Sequence, residues 1–111
     1  MRRRADFVRG LGVDLVEYKK AKKFYGAHRL SLGDYFGKSE VSFIQGSAKP
    51  HEALALLFAA KEAVFKSSDL AWMGPQGFRK TRVLTQKSRQ FSFLRSLSFF
   101  KGKNYVVAEC R

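Results

Sequence analysis

The segment from Pro50 to about Ser67 constrains the fold more than any other part of the chain, because its composition and spacing predict a long helix. It is rich in Ala, Leu, Lys and Glu, which are good helix formers, and Pro50 suits the first helical position. Phe58, Glu62 and Lys66 recur at every fourth residue and therefore share one face. A neighbouring buried stripe is predicted from the apolar residues at helical spacing: Ala53, Leu56, Leu57, Ala60 and Val64.

The segment from Phe7 to Val16 predicts a strand, because apolar residues alternate along it with glycines and an acid. Two glycines on the side of the acid indicate that something approaches the backbone closely there. The expected faces are Leu11, Val13 and Leu15 on one side and Gly10, Gly12 and Asp14 on the other.

The order of strand, helices and strands predicts an α+β fold, with a small antiparallel sheet packed on one long helix. We expect residues 1–111 to form a single domain, because 111 residues suffice for one modest core. The other predicted elements are helices at Glu17–Arg29 and Lys38–Gln45, a loop at Ser67–Gly77, strands at Phe78–Leu84, Phe91–Ser98 and Tyr105–Cys110, and a turn at Gly102–Asn104.

The chain is strongly basic, with 22 Lys and Arg against 9 Asp and Glu and a net charge of +13. Such a charge attracts polyanions in general, whether nucleic acid, anionic membrane, phosphorylated cofactor or acidic protein. A single cysteine, Cys110, excludes an intramolecular disulfide and fits a reducing cytoplasm. The longest apolar run, Ala53 to Ala60, is far too short to cross a membrane.

Asp14 and Glu62 are acids in apolar surroundings, where a charge is costly unless it is compensated. If the first strand lies beside the long helix, the two carboxylates could hold one Mg²⁺, which favours oxygen ligands and keeps positions for water and substrate phosphates. Lys66, one turn beyond Glu62, could reach the same phosphate. Lys61 is turned about 100° away on the helix and is expected at the surface.

A simpler interpretation of the same residues stands beside the metal site. An acid at the end of a strand often caps the next helix, and Asp14 followed by Glu17 loosely fits a capping box. Glu62 and Lys66 also form an ordinary pair four residues apart on a helix, which is worth a few tenths of a kcal/mol.

Two segments of the chain resemble the signature segments of the holo-acyl-carrier-protein synthases, the small 4′-phosphopantetheinyl transferases. They are Gly12-Val-Asp-Leu-Val-Glu17 and Phe58-Ala-Ala-Lys-Glu-Ala-Val-Phe-Lys66, and Glu40 stands where this family has a Glu ahead of its long helix. The similarity covers about residues 7–67. It implies transfer of the phosphopantetheine arm of coenzyme A to a serine of acyl carrier protein, with Mg²⁺ on the pyrophosphate, in fatty acid biosynthesis.

By matching position, the resemblance implies that Asp14 and Glu62 are the metal ligands and part of the catalytic site. Lys66 would contact phosphate, and Phe58 would lie near the coenzyme A nucleotide. Family members of this length are trimers with active sites between subunits, so a homo-oligomer is expected. The first helix would meet the acidic carrier protein through its basic residues, for which the candidates are Lys19, Lys20 and Lys23.

The chain departs from the family pattern at two expected phosphate or nucleotide contacts. Leu57 stands where the family has Arg, and Phe99 stands where it has His. A second hypothesis is therefore a protein of the same fold that binds carrier protein or coenzyme A without transferring anything. A third is a basic nucleic-acid-binding module, because aromatic and basic residues alternate in the last third of the chain.

Overall fold

A computed structural model describes residues 11–67, 78–88, 90–94 and 96–111. Three helices, α1 (Tyr18–His28), α2 (Lys38–Gln45) and α3 (Pro50–Ser67), lie between the first strand and the others, with a short 3-10 turn at Leu32–Asp34. The strands are β1 (Gly12–Glu17), β2 (Leu84–Lys87), β3 (Gln90–Phe93), β4 (Leu97–Lys101) and β5 (Tyr105–Cys110). The predicted α+β class is confirmed, as are the bounds of α2 and β5.

The sheet that packs on α3 has three antiparallel strands in the order β1, β5, β4. Gly12 lies opposite Cys110 and Glu17 opposite Tyr105, so β1 and β5 pair over their whole lengths. The predicted turn at Gly102–Asn104 joins β4 to β5, and the N–H of Tyr18 donates to the carbonyl of Asn104 at 2.9 Å. The start of α1 is thereby tied to this turn.

The long helix α3 forms the centre of the core, as its composition predicted. Val106 and Ala108 of β5 and Leu54 and Leu57 of α3 are all fully buried. The helix is buried on more than the predicted stripe, because α1, α2 and the sheet all pack against it. Val64, at the end of the predicted stripe, is only half-buried. Among the described residues, no helix is both long enough and apolar enough to cross a bilayer.

The predicted strand at Phe78–Leu84 is wrong over most of its length. Residues 78–80 are helical and residues 81–83 have no regular structure, so only Leu84 begins a strand. The carbonyls of Arg79 and Thr81 accept hydrogen bonds from the side chain of Lys61, which takes them away from any strand ladder. Phe78 turns inward and is buried.

The predicted strand at Phe91–Ser98 is two strands in the structure. The strand β3 ends at Phe93 and pairs with β2 in a separate two-stranded sheet, whereas β4 begins at Leu97. A turn separates them, in which the N–H of Leu97 donates to the carbonyl of Leu94 at 3.0 Å. Phe91 and Phe93 before the turn and Leu97 and Phe99 after it keep the same alternating spacing, which only Arg95 interrupts, so the pattern alone does not reveal the break.

The predicted alternation along β1 is confirmed for its described residues. Val13 and Leu15 point away from α3 and keep 47% and 53% of their surface exposed, whereas Gly12 is buried against the helix. The predicted beginning of this strand at Phe7 and most of the predicted loop ending at Gly77 lie outside the described residues.

Candidate functional site

Gly12 lets β1 and α3 approach each other closely. A methyl group at Gly12 would overlap the carbonyl oxygen of Ala63 and lie 2.6 Å from the amide nitrogen of Ser67. Both are backbone atoms of α3 and cannot move aside. The prediction of a close approach beside the acid is thereby confirmed, and the neighbour is the backbone of the helix that carries Glu62.

Asp14 and Glu62 line the same cavity, which has a volume of about 570 Å³. The first acid comes from β1, two residues after Gly12, and the second comes from α3, directly before Ala63, whose carbonyl faces Gly12. The cavity lining combines apolar and charged side chains. Its lining residues are Asp14, Leu15, Val16, Glu17, Lys20, Ala21, Phe24, Leu54, Phe58 and Glu62.

Lys66 crosses from the end of α3 to β1. Its Nζ atom lies 2.9 Å from Oδ1 of Asp14 and donates a second hydrogen bond to the carbonyl of Val13 at 3.2 Å. Asp14 therefore does not cap a helix, and the residue at the start of α1, Glu17, makes no side-chain cap either. The simpler interpretation of Asp14 is wrong, and Lys66 joins the two elements of the site.

The pKa of Glu62 is raised above its ordinary value. The largest cause is burial, the second is the negative charge of Asp14, and the positive charge of Lys66 partly offsets both. The two carboxylates are thus close enough to repel each other. Repulsion of this kind at a cavity wall indicates a site that a cation can stabilise.

The donors present fit a hard divalent cation. They are carboxylate oxygens, and Mg²⁺ commonly takes only one or two carboxylates while water and phosphate fill its other positions. The described residues contain no group of three or more His, Cys, Asp or Glu side chains that could hold a metal. Asp14 and Glu62 therefore do not form a metal site made wholly of protein ligands. They suit a cation that is also bound by a phosphate of the substrate.

Phe58 forms part of the cavity wall and belongs to an aromatic cluster. Its ring centre lies 4.8 Å from that of Phe78, 5.6 Å from Phe24 and 6.3 Å from Phe36. The contacts with Phe24 and Phe36 are edge-to-face and the contact with Phe78 is tilted, and ring contacts at these distances favour a fixed ring orientation. Phe58 can therefore offer a rigid apolar surface next to Glu62.

The expected surface position of Lys61 is wrong, because this side chain is completely buried. Its Nζ donates to Oε1 and Oε2 of Glu40 at 2.9 and 3.2 Å, and to the carbonyls of Thr81 and Arg79 at 2.6 and 3.3 Å. The 100° rotation from Glu62 points Lys61 at α2 rather than at solvent. The sequence offered one indication that Lys61 could be buried, namely Glu40, an acid ahead of the long helix that could neutralise its charge.

The aromatic residues of the last third do not form an open stacking platform. Phe93 lies 5.7 Å from Phe43 and 4.8 Å from Phe99, and Phe91 also packs on Phe43 at 5.3 Å. These rings fill the space between α2 and the two sheets. Phe100, at 61% exposure, is a ring that remains open to solvent.

These features define a small α+β protein in which Asp14 and Glu62 line one cavity and Lys66 pairs with Asp14. A family profile described as the 4′-phosphopantetheinyl transferase superfamily matches residues 10–110, and the chain belongs to this family. The resemblance drawn from the two sequence motifs is thereby confirmed.

Similar proteins agree with this assignment. The chain is 35% identical to a holo-[acyl-carrier-protein] synthase of Clostridium kluyveri over 65 residues, 59% of this chain and 48% of that protein. It is 29% identical to one of Moorella thermoacetica over 91 residues, 73% of this chain and 71% of that protein. The match thus spans about half the length of the first relative and more of the second.

A solved structure shares the fold. It is the holo-[acyl-carrier-protein] synthase from Neisseria meningitidis, with a TM-score of 0.68, 22% identity, and coverage of 90% of this chain and 94% of that one. At this identity the likeness concerns the fold alone. It agrees with the observed arrangement of a three-stranded antiparallel sheet on a long helix.

Proposed function

We propose that the protein transfers the 4′-phosphopantetheine group of coenzyme A to a serine of an acyl carrier protein, in a Mg²⁺-dependent reaction. The observation that carries the proposal is the meeting of Asp14 and Glu62 at one cavity, with Lys66 bonded to Asp14. Membership of the superfamily and the names of the relatives support it.

The reaction exchanges the phosphoanhydride bond of the coenzyme A diphosphate for a phosphoester bond to the serine. The serine oxygen attacks the phosphorus that carries the pantetheine arm, a new P–O bond forms, the bond to the bridging oxygen breaks, and 3′,5′-ADP leaves. Mg²⁺ held by Asp14 and Glu62 would offset the charge of the diphosphate. Lys66 is close enough to Asp14 to place a further positive charge on the same phosphate.

The proton of the serine needs an acceptor, and Glu62 is one of two candidates. Its raised pKa makes it a better base than an ordinary glutamate, although a water in the site could serve equally. Phe58 lines the same cavity and would support the coenzyme A nucleotide, as the resemblance to the family implies.

The acidic carrier protein would dock on α1. Lys19, Lys20 and Lys23 are exposed on this helix, and Lys20 also lines the cavity that holds the two acids. A basic helix at the rim suits an acidic partner and would steer its serine toward the cavity. Because Cys110 is a free thiol, we propose the reducing cytoplasm as the location.

We also propose a homo-oligomer, with a trimer favoured, formed through the open face of the three-stranded sheet. Val13, Leu15 and Phe100 lie on this face with 47%, 53% and 61% exposure, and Leu15 and Phe100 both lie opposite Val107 in the sheet. Contiguous apolar surface of this kind marks an interface. Light scattering should report a trimer that Leu15→Lys dissociates, and an unchanged mass for this variant would contradict the assignment of this face.

Mass spectrometry of apo acyl carrier protein, incubated with the protein, coenzyme A and Mg²⁺, tests the transfer. We expect a mass gain of one phosphopantetheine group that Glu62→Gln abolishes. Glu52→Gln is the matched control, because Glu52 lies on the same helix outside the cavity and pairs with Lys49 at 3.8 Å. Absence of any gain at high protein concentration would refute the proposed reaction.

A second function, binding without transfer, is favoured by two positions. Leu57, where the family has Arg, is fully buried, and Phe99, where the family has His, packs on Phe93 at 4.8 Å. Neither side chain offers a phosphate contact. Tight binding of coenzyme A in a titration, without any mass gain on the carrier protein, would support this second function.

A further inference from the structure

The ion pair between Lys66 and Asp14 occupies the carboxylate that the proposed cation needs. Nζ of Lys66 lies 2.9 Å from Oδ1 of Asp14, and the side chains of the two residues keep 52% and 17% of their surface exposed. Asp14 is thus held in a sheltered place, whereas the lysine stem can move into solvent. The ion pair therefore joins a sheltered carboxylate to a half-exposed ammonium group.

Lys66 also relieves the repulsion between the two acids. Asp14 and Glu62 line the same cavity, and Lys66 places a positive charge 2.9 Å from Oδ1 of Asp14. Two carboxylates facing one cavity without a cation would destabilise the folded protein. The ammonium group therefore does part of what a divalent cation would do at the same place.

We propose that Lys66 is the resident counter-ion of the acid pair, and that a divalent cation binds only as this lysine leaves Asp14. This inference rests on the proposed function. A cation at Asp14 and an ammonium group 2.9 Å from the same carboxylate would repel each other strongly. Cation binding and the Asp14–Lys66 bond therefore exclude one another.

The displaced lysine needs a new anion, and the diphosphate of coenzyme A supplies one. Without the diphosphate, cation binding costs the ion pair and leaves two positive groups close together. With it, Lys66 exchanges a carboxylate for a phosphate, so the charge balance is kept. The site should consequently accept the cation together with the diphosphate, and each should strengthen the binding of the other.

Electron paramagnetic resonance of free Mn²⁺ tests the inference without any transfer reaction. In the absence of coenzyme A, Lys66→Met should bind Mn²⁺ about two- to tenfold more tightly than the wild type, the range expected for loss of a partly exposed ion pair and its repulsion. Lys49→Met is the control, because it removes an equally charged, exposed residue at the other end of α3 and should leave the affinity unchanged. Adding coenzyme A should tighten Mn²⁺ binding to the wild type more than to Lys66→Met.

Two further variants separate the possible failures. Asp14→Asn should remove Mn²⁺ binding; if it does not, the acid pair is not the cation site, and the metal part of the proposed function fails with this inference. If Asp14→Asn removes binding but Lys66→Met leaves it equal or weaker, only the counter-ion role is refuted. Lys66→Arg, which keeps the charge and guards against misfolding of the Met variant, should retain the weak wild-type affinity.

Discussion

Replacement of Lys61 by Met tests the buried ion pair that the sequence did not reveal. Lys61 is fully buried, contacts both carboxylate oxygens of Glu40, and lies 5.2 and 5.8 Å from the ring centres of Phe78 and Phe36. Met fills a similar volume, so the substitution removes the charge and its donors while largely keeping the packing. Within the described part of the chain, Glu40 would then be a buried carboxylate that accepts only the hydrogen bond from the N–H of Gly37 at 2.9 Å.

The expected cost is large because one half of a buried pair is left uncompensated. Removing a single partner costs about 3–5 kcal/mol, against a total stability of about 5–15 kcal/mol for a domain. Burial lowers the pKa of Lys61, and the negative charge of Glu40 offsets this only in part. The double variant Lys61→Met with Glu40→Gln should therefore be more stable than the sum of the two single losses predicts.

Equilibrium unfolding in urea, followed by circular dichroism, measures all four proteins of this cycle. Glu40→Gln keeps an oxygen that can accept from Gly37, so the start of α2 stays capped. We expect a coupling energy of at least about 1 kcal/mol between the two positions. Losses that add to within about 0.5 kcal/mol, or a Lys61→Met variant as stable as the wild type, would refute the reasoning.

Two other substitutions test the site through stability. Gly12→Ala should lower the free energy of unfolding by about 1–3 kcal/mol and abolish transfer, because the new methyl group meets the backbone of α3. Thermal unfolding measures the first effect and the carrier-protein assay the second. A variant with normal stability would contradict the close approach of β1 and α3. Glu62→Gln should raise the melting temperature at neutral pH while it abolishes transfer: a raised folded-state pKa means that the folded protein holds this proton more tightly, so ionisation costs stability as the pH rises. The advantage of the Gln variant should shrink as the pH falls through the raised folded-state pKa of Glu62, and it should be lost below about 4, where the unfolded chain also keeps the proton. A constant advantage at all pH values would refute the assignment.

Most of the fold could be predicted because local signals and packing agree. The helix α2 begins at Lys38 and ends at Gln45 as predicted, and α3 begins at Pro50. Alternation along β1 correctly separated Asp14 from Val13 and Leu15, and the glycine beside the acid correctly indicated a close neighbour. These features depend on residues close together in the sequence.

The misses depend on contacts between distant residues. The segment from Phe78 reads as a strand, yet the ammonium group of Lys61, 18 and 20 residues earlier, takes the carbonyls of Arg79 and Thr81. Helical spacing predicted that Lys61 points about 100° away from Glu62, but it could not predict what Lys61 would contact. Only the tertiary structure brings α2 and Glu40 to that side of the helix. Lys66 and Asp14 are 52 residues apart, so the sequence could indicate their proximity only through the hypothesis that both belong to one site.

The position of Glu62 follows from what fixes the rotation of α3. This helix is buried widely, with alanines on several sides, so no single apolar stripe selects one orientation about its axis. Two specific contacts select the orientation of α3. On one side, the ammonium group of Lys61 pairs with Glu40. On another side, the backbone of Ala63 packs against Gly12, where a larger residue would overlap it. Since Lys61, Glu62 and Ala63 are consecutive, both contacts act directly beside Glu62 and determine its direction. We infer that the buried pair and the glycine fix the geometry of the acid site, which apolar packing alone would leave undetermined.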